Sequence, residues 1–152
     1  MEGYDVAQIC INGHVISSMA ANIGNRQEFC NVCGAETIMA CQKCKYPIKG
    51  YYHSPGVILL LDFNPPRFCE KCGEPFPWIK SKIEASKELI DLVEHFSDDE
   101  RNDLKNSIED IIRDSPKISV ARIKLKKYLS KIDHSIANSI NDLIENSTKG
   151  EE

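Results

Sequence analysis

Four short chelating pairs in the first half of the chain constrain its fold more than any other feature. They are Cys10-x3-His14, Cys30-x2-Cys33, Cys41-x2-Cys44 and Cys69-x2-Cys72. All seven cysteines fall in them, and His14 completes the donor set of two tetrahedral sites. The CxxC spacing lets two thiolates chelate one ion while the backbone between them turns tightly, with amide groups aimed at the sulfurs. Cys33 and Cys72 are each followed by glycine, which accepts the positive φ such a knuckle needs.

The compartment decides what paired cysteines mean. Their number is odd, and the first ten residues lack the basic start and apolar stretch of a leader peptide. A reducing cytoplasm is the expected location, where such pairs bind metal or do redox chemistry rather than form disulfides. The longest apolar run, Val57 to Leu61, is far below the roughly 20 residues of a membrane span. The expected cofactors are therefore two structural Zn²⁺ ions, with Cys10, His14, Cys30, Cys33, Cys41, Cys44, Cys69 and Cys72 as ligands.

Sequential pairing groups the first two pairs and the last two, closing loops of 15 and 24 residues, the second suited to a β-hairpin excursion. Interleaved, cross-brace pairing is the alternative, at a higher loop-closure entropy. Cys-x3-His mirrors the other pairs and marks His14 as the ligand. His53 is expected to bond backbone in its loop, His95 to sit near a helix C-terminus, and His134 to be solvated. With both sites filled by protein donors, no position remains for a catalytic water. No CxxC is followed by histidine, so haem attachment is excluded, and no βαβ setting supports a thioredoxin-like dithiol. The all-cysteine site is also compatible with iron. No nucleophile, paired acid or phosphate loop stands elsewhere, and the chain reads as a non-enzyme.

Composition changes near Pro77. Residues 1–77 hold every cysteine and six of the seven prolines; residues 78–152 hold one proline and one glycine. The fold class expected is α+β: a double zinc-ribbon module over 1–77 with short β-hairpins, then a tail of three or four amphipathic helices over 78–152. Trp78, after Pro75-Phe76-Pro77, is expected to anchor the two parts. A first helix is predicted from about Trp78 to Phe96. Ser97-Asp98-Asp99-Glu100 is a capping box opening a second, through Ile112. Ser115-Pro116 starts a third, with serine as N-cap. The apolar period then runs to Leu143, with a break expected near Asp133-His134-Ser135.

With the pairs laid out, the chain resembles a bacterial family catalogued as a domain of unknown function. The matching segments are the opening Tyr4 to His14, the knuckles Phe29 to Gly34 and Phe68 to Gly73, the loop Gly50 to Val57, Pro75-Phe76-Pro77-Trp78, and Asp114-Ser115-Pro116 leading into Val120-Ala121. The resemblance implies two zinc-ribbon knuckle sites ahead of a helical tail and carries no activity. The chain departs from it at Ile58-Leu59-Leu60-Leu61, where smaller, glycine-rich residues are expected.

Charge in the helical part is segregated. Residues 84–114 hold 11 acidic against 4 basic residues; 117–131 hold 6 basic and no acidic ones. The first reading pairs the basic helix with the acidic ones. In the second, Lys117, Arg122, Lys124, Lys126, Lys127 and Lys131 contact phosphates, aided by the knuckle lysines Lys43, Lys45, Lys49 and Lys71. A membrane-surface role for this helix is a third. A protein partner is expected at the aromatic loop Tyr51-Tyr52-His53 and at Leu59 and Leu61, with Lys124 and Lys127 as a further contact; the competing reading makes Val57 to Leu61 a core strand. The favoured function is a zinc-bearing protein–protein adaptor, and a nucleic-acid-binding ribbon is the alternative.

Overall fold

The architecture is that of a computed structural model, which describes residues 2–58 and 62–148. Short antiparallel sheets are followed by four helices, an α+β arrangement. The chain divides into two units, residues 1–80 and 81–152.

In the first unit, strands β1 (Gly3–Val6), β2 (Gln8–Cys10), β3 (Val15–Ser17), β4 (Thr37–Ile38) and β5 (Lys49–His53) form two sheets. One is β3-β2-β4, with β2 at its centre and antiparallel to both neighbours. Every residue of β2 is buried, so its backbone groups must be paired within the protein. The other sheet pairs β1 with β5 antiparallel, Tyr4 opposite Tyr52. Among the described residues, the long loop between Cys44 and Cys69 does not form the β-hairpin excursion that its length suggests. It sends β5 back to the N-terminal strand, where β1 and the Ser18 carbonyl supply its backbone partners.

Trp78 is 5% exposed, stacks on Phe76 with ring centroids 4.9 Å apart, and donates from Nε1 to the carbonyl of Pro66 at 2.9 Å. All of these contacts lie in the first unit. Val57 and Ile58 are exposed, which removes them from any core strand. Leu59 to Leu61 lie outside the described residues.

Helix α1 (Pro77–Asp91) begins in the first unit and continues into the second, where α2 (Asp98–Ile112), α3 (Ile118–Leu129) and α4 (His134–Thr148) follow. Their inward faces bury Ile90, Leu104, Ile108, Ile111, Ile112, Leu125 and Ile140. Buried Ser86 and Ser107 return their hydroxyls to the carbonyls of Lys82 and Asp103, the backbone bond that lets serine stay inside a helix.

Two helix boundaries differ from those the period predicts. The first helix stops at Asp91, not Phe96. Val93 and Phe96 are buried all the same, in a turn closed by Arg101, whose guanidinium donates to the Val93 carbonyl at 2.6 Å. The Ser97 capping box forms, with Ser97 and Glu100 bonding each other's amides, and it needs extended backbone at Ser97, which ends the preceding turn. His95 accordingly precedes the N-terminus of α2 rather than closing a helix, its ring edge-on to Phe96. The third helix opens at Ile118 with Lys117 as N-cap. Ser115 instead bonds Asp110 and accepts from the Lys117 amide. The break before α4 is present, and Asp133 accepts from the Ser135 amide there.

Candidate metal centres

Each CxxC pair lies in the same small turn. In the first, the Cys30 amide donates to the carbonyl of Ala35 and the Gly34 amide returns to the carbonyl of Cys30, both at 2.8 Å. Cys41 with Tyr46 and Lys45, and Cys69 with Glu74 and Gly73, repeat both bonds at 2.8 to 2.9 Å. The residue after the second cysteine has positive φ in all three: 75° at Gly34, 66° at Lys45 and 79° at Gly73. That conformation aims the two sulfurs the same way, and only Lys45 meets it with a side chain. The Cys10–His14 turn is one residue tighter: Cys10 donates to the His14 carbonyl at 2.9 Å and Gly13 to the Cys10 carbonyl at 2.8 Å.

These turns bring the donors together in two groups. Cys10, His14, Cys30 and Cys33 form one, Cys41, Cys44, Cys69 and Cys72 the other, and within each all ligand atoms lie within 4.8 Å of one another. This is the sequential arrangement. The Sγ–Sγ separations are 3.7 Å for Cys10–Cys33, 3.7 Å for Cys41–Cys72 and 3.6 Å for Cys44–Cys69. His14 Nδ1 stands 3.4 Å from Cys10 Sγ and 3.7 Å from Cys30 Sγ. Metal–sulfur bonds of about 2.3 Å and metal–nitrogen bonds of about 2.05 Å on a tetrahedron require edges of about 3.8 Å and about 3.5 Å. A disulfide requires about 2.05 Å. The spacing fits a shared cation at each centre and excludes a bond between the sulfurs.

Neighbouring groups favour the thiolate form a metal needs at Cys33 and Cys41 and oppose it at Cys10 and Cys72. Cys33 is held at about 6, first by the amide of Ala35 and then by the Asn12 side chain, whose Nδ2 donates to Cys33 Sγ at 3.3 Å. Burial opposes ionisation of Cys41, but the amides of Cys44 and Lys43 hold it at about 7. At Cys72 the Glu74 amide favours the thiolate, yet burial and the neighbouring thiols Cys41, Cys44 and Cys69 together push it to about 12. Four thiols crowded together resist losing their last proton unless a positive charge stands among them.

The other singled-out residues take quieter places. Tyr51, Tyr52 and His53 lie in β5, not in a loop. Tyr52 donates to Glu2 at 3.1 Å and meets the Tyr4 ring edge-on at 4.9 Å; Tyr51 meets His53 in the same way. His53 bonds a carboxylate rather than backbone: Nε2 is 2.8 Å from Asp5 Oδ2. Asp5 also accepts from the amides of Val6 and Ala21. Lys124 pairs with Asp103 at 3.0 Å, and Lys127 is exposed. Leu59 and Leu61 fall outside the described residues. Two supporting residues have no signature in the sequence. Asn12 reaches Cys33, and buried Gln8 bonds Gln27 and Thr37 from its amide while accepting from the Gln27 amide, fixing the segment that leads to Cys30. A lone amide side chain leaves no periodic or spacing signal.

Fold and clusters together define a module with two four-donor Cys/His groups that could each hold a metal ion, followed by a four-helix segment. The chain belongs to the family described as "Uncharacterized protein conserved in bacteria (DUF2321)", whose model matches residues 3–149. No curated protein and no solved structure matches it.

Proposed function

We propose that both centres hold zinc as a structural ion and that the chain is a non-enzymatic adaptor for another protein. One observation carries the reading: in each centre four protein donors lie within 4.8 Å of one another, with separations of 3.4 to 3.7 Å among them that match a tetrahedron's edges, leaving no coordination position for a substrate or an attacking water. The ions then supply folding free energy, on the order of 10 kcal/mol each.

The adaptor role draws support from the surface of the first unit. A cleft of about 330 Å³ runs beside the second centre, with Tyr4, Tyr46, Phe63, Phe68 and Phe76 in its walls. A neighbouring hollow of about 250 Å³ takes in Tyr51 and Tyr52. Aromatic concavities of this kind bury extended or helical peptide side chains well.

The knuckle lysines, which the nucleic-acid reading needs free, are engaged locally. Lys43 bonds Glu74 at 3.0 Å, Lys49 bonds Glu70 at 3.1 Å, Lys45 reaches the Gln42 carbonyl, and Lys71 lies over the Tyr46 ring. Glu74 first, then Cys72 and Cys41, raise the pKa of Lys43, so its charge also offsets that of the thiolate cluster.

Native mass spectrometry of the gently purified chain and of Cys41→Ser tests the metal reading. Two zinc ions in the first and one in the second are expected. Iron, a single ion, or retention of both ions by the variant refutes it. Titrating labelled DNA and RNA at low and moderate salt tests the rest: specific binding with a steep salt slope would replace the adaptor reading by the nucleic-acid one.

A further inference from the structure

The second unit displays two exposed patches of opposite charge, each with apolar side chains among the charges. The first is on α3. Ala121, Leu125 and Leu129 are buried, which turns Val120, Arg122, Ile123, Lys126 and Lys127 to the outside. Val120 is 55% and Ile123 65% exposed, three residues apart on one face. Of the cations from Lys117 to Lys131, Lys124 alone is ion-paired among the described residues.

The second patch follows α1 and the turn after it. Glu84, Glu88 and Leu92 recur every four residues along its exposed side, and Glu94 continues it. Leu92 is 63% exposed. Among the described residues none of these three glutamates has an ion-pair partner. The last turn of α1 holds no basic residue, so the negative end of its dipole adds to the charge.

We propose that the α3 face of one copy docks on the Glu84–Glu88–Leu92 edge of a second copy, the reverse contact forming at the same time about a two-fold axis. A chain that carries both halves of a complementary pair satisfies the reciprocity an isologous dimer demands. The charges set orientation and encounter rate; burial of Leu92, Val120 and Ile123 from each copy supplies the adhesion. Lys126 and Lys127 also meet the dipole of their own helix in its last turn. That leaves Arg122, a turn earlier, and the exposed apolar pair unexplained, and the dimer accounts for both. A polyanion fits less well: Val120 and Ile123 gain nothing against phosphates, and the glutamates of the same unit repel them.

Sedimentation velocity of the full chain across micromolar concentrations tests this. A concentration-dependent dimer is expected, with apparent Kd rising at least about tenfold as salt goes from about 0.01 M to about 1 M and the screening length shrinks from about 30 Å to about 3 Å. Lys126→Glu with Lys127→Glu should weaken association at least about tenfold, as should Glu84→Lys with Glu88→Lys. The quadruple variant carrying both swaps should dimerise again, which separates lost complementarity from lost folding. A native chain that stays monomeric at low salt overturns the proposal, and so does a dimer indifferent to either swap. Binding of anionic vesicles or DNA by a monomeric native chain, abolished by Lys126→Glu with Lys127→Glu, overturns it in favour of a polyanion.

Discussion

Gly50→Ala is the smallest change that should damage the first unit severely. A Cβ at Gly50 would stand 2.2 Å from the Ser18 carbonyl oxygen and 3.0 Å from the Ala7 amide nitrogen. Carbon and oxygen that are not bonded normally stay at least about 3.3 Å apart, so backbone must move by about 1 Å. Both atoms are committed. The Ser18 carbonyl accepts from the Tyr51 amide at 2.8 Å, and the Ala7 amide donates to the Ile48 carbonyl at 2.8 Å. Ala7 has no exposed surface, so water cannot replace what is lost. Leaving buried amide and carbonyl groups unmet costs about 1–3 kcal/mol each, and the alanine returns about 0.4–1 kcal/mol by restricting the unfolded chain. The net loss is about 3 kcal/mol. Urea unfolding of the metal-loaded protein, followed by the fluorescence of its single tryptophan, reads this directly, because Trp78 is buried in the same unit. A loss below about 1 kcal/mol would refute the reasoning: the Ser18 turn would then be able to yield, and the close approach of β5 would not be what holds the two sheets in place.

Two further expectations use the same equipment. Lys45→Gly should raise stability and Gly73→Ala lower it, each by about 0.5–1 kcal/mol, since a β-carbon in the left-handed region costs about 1–2 kcal/mol and glycine's freedom in the unfolded chain returns about 0.5–1; paired urea midpoints check both signs. Asp103, bonded by Lys124 and then by Tyr128, has a pKa below its ordinary 3.8. A depressed carboxylate stabilises the fold above its unfolded value and loses that contribution as pH falls through the folded one. Asp103→Asn should therefore cost under about 1 kcal/mol at neutral pH, the pair being partly exposed, and the gap from the native chain should close on acidification below the carboxylate range. Melting curves over an acid series measure it.

How much of the fold is legible in the sequence depends on how local the physics is. The three CxxC turns, the Ser97 capping box and the break at Asp133 are closed by atoms within a few residues of one another, so spacing alone reveals them. The end of α1 is not legible, because the apolar period continues through Val93 and Phe96; the capping geometry and Arg101, reaching back from α2, decide it. The Ser115-Pro116 start slips by two residues for a similar reason, since Asp110 on the preceding helix claims the serine hydroxyl.

The donor set and the α+β division follow from the order of residues alone, because chelation at x2 and x3 spacing and helical period are properties of near neighbours along the chain. Which pairs share a centre, that β5 returns to β1, that His53 faces Asp5, and that Asn12 and Gln8 brace the first centre are settled only in three dimensions. Each of these joins residues 15 or more positions apart or depends on a single polar side chain. Such contacts form only when burial and backbone pairing have already brought the segments together.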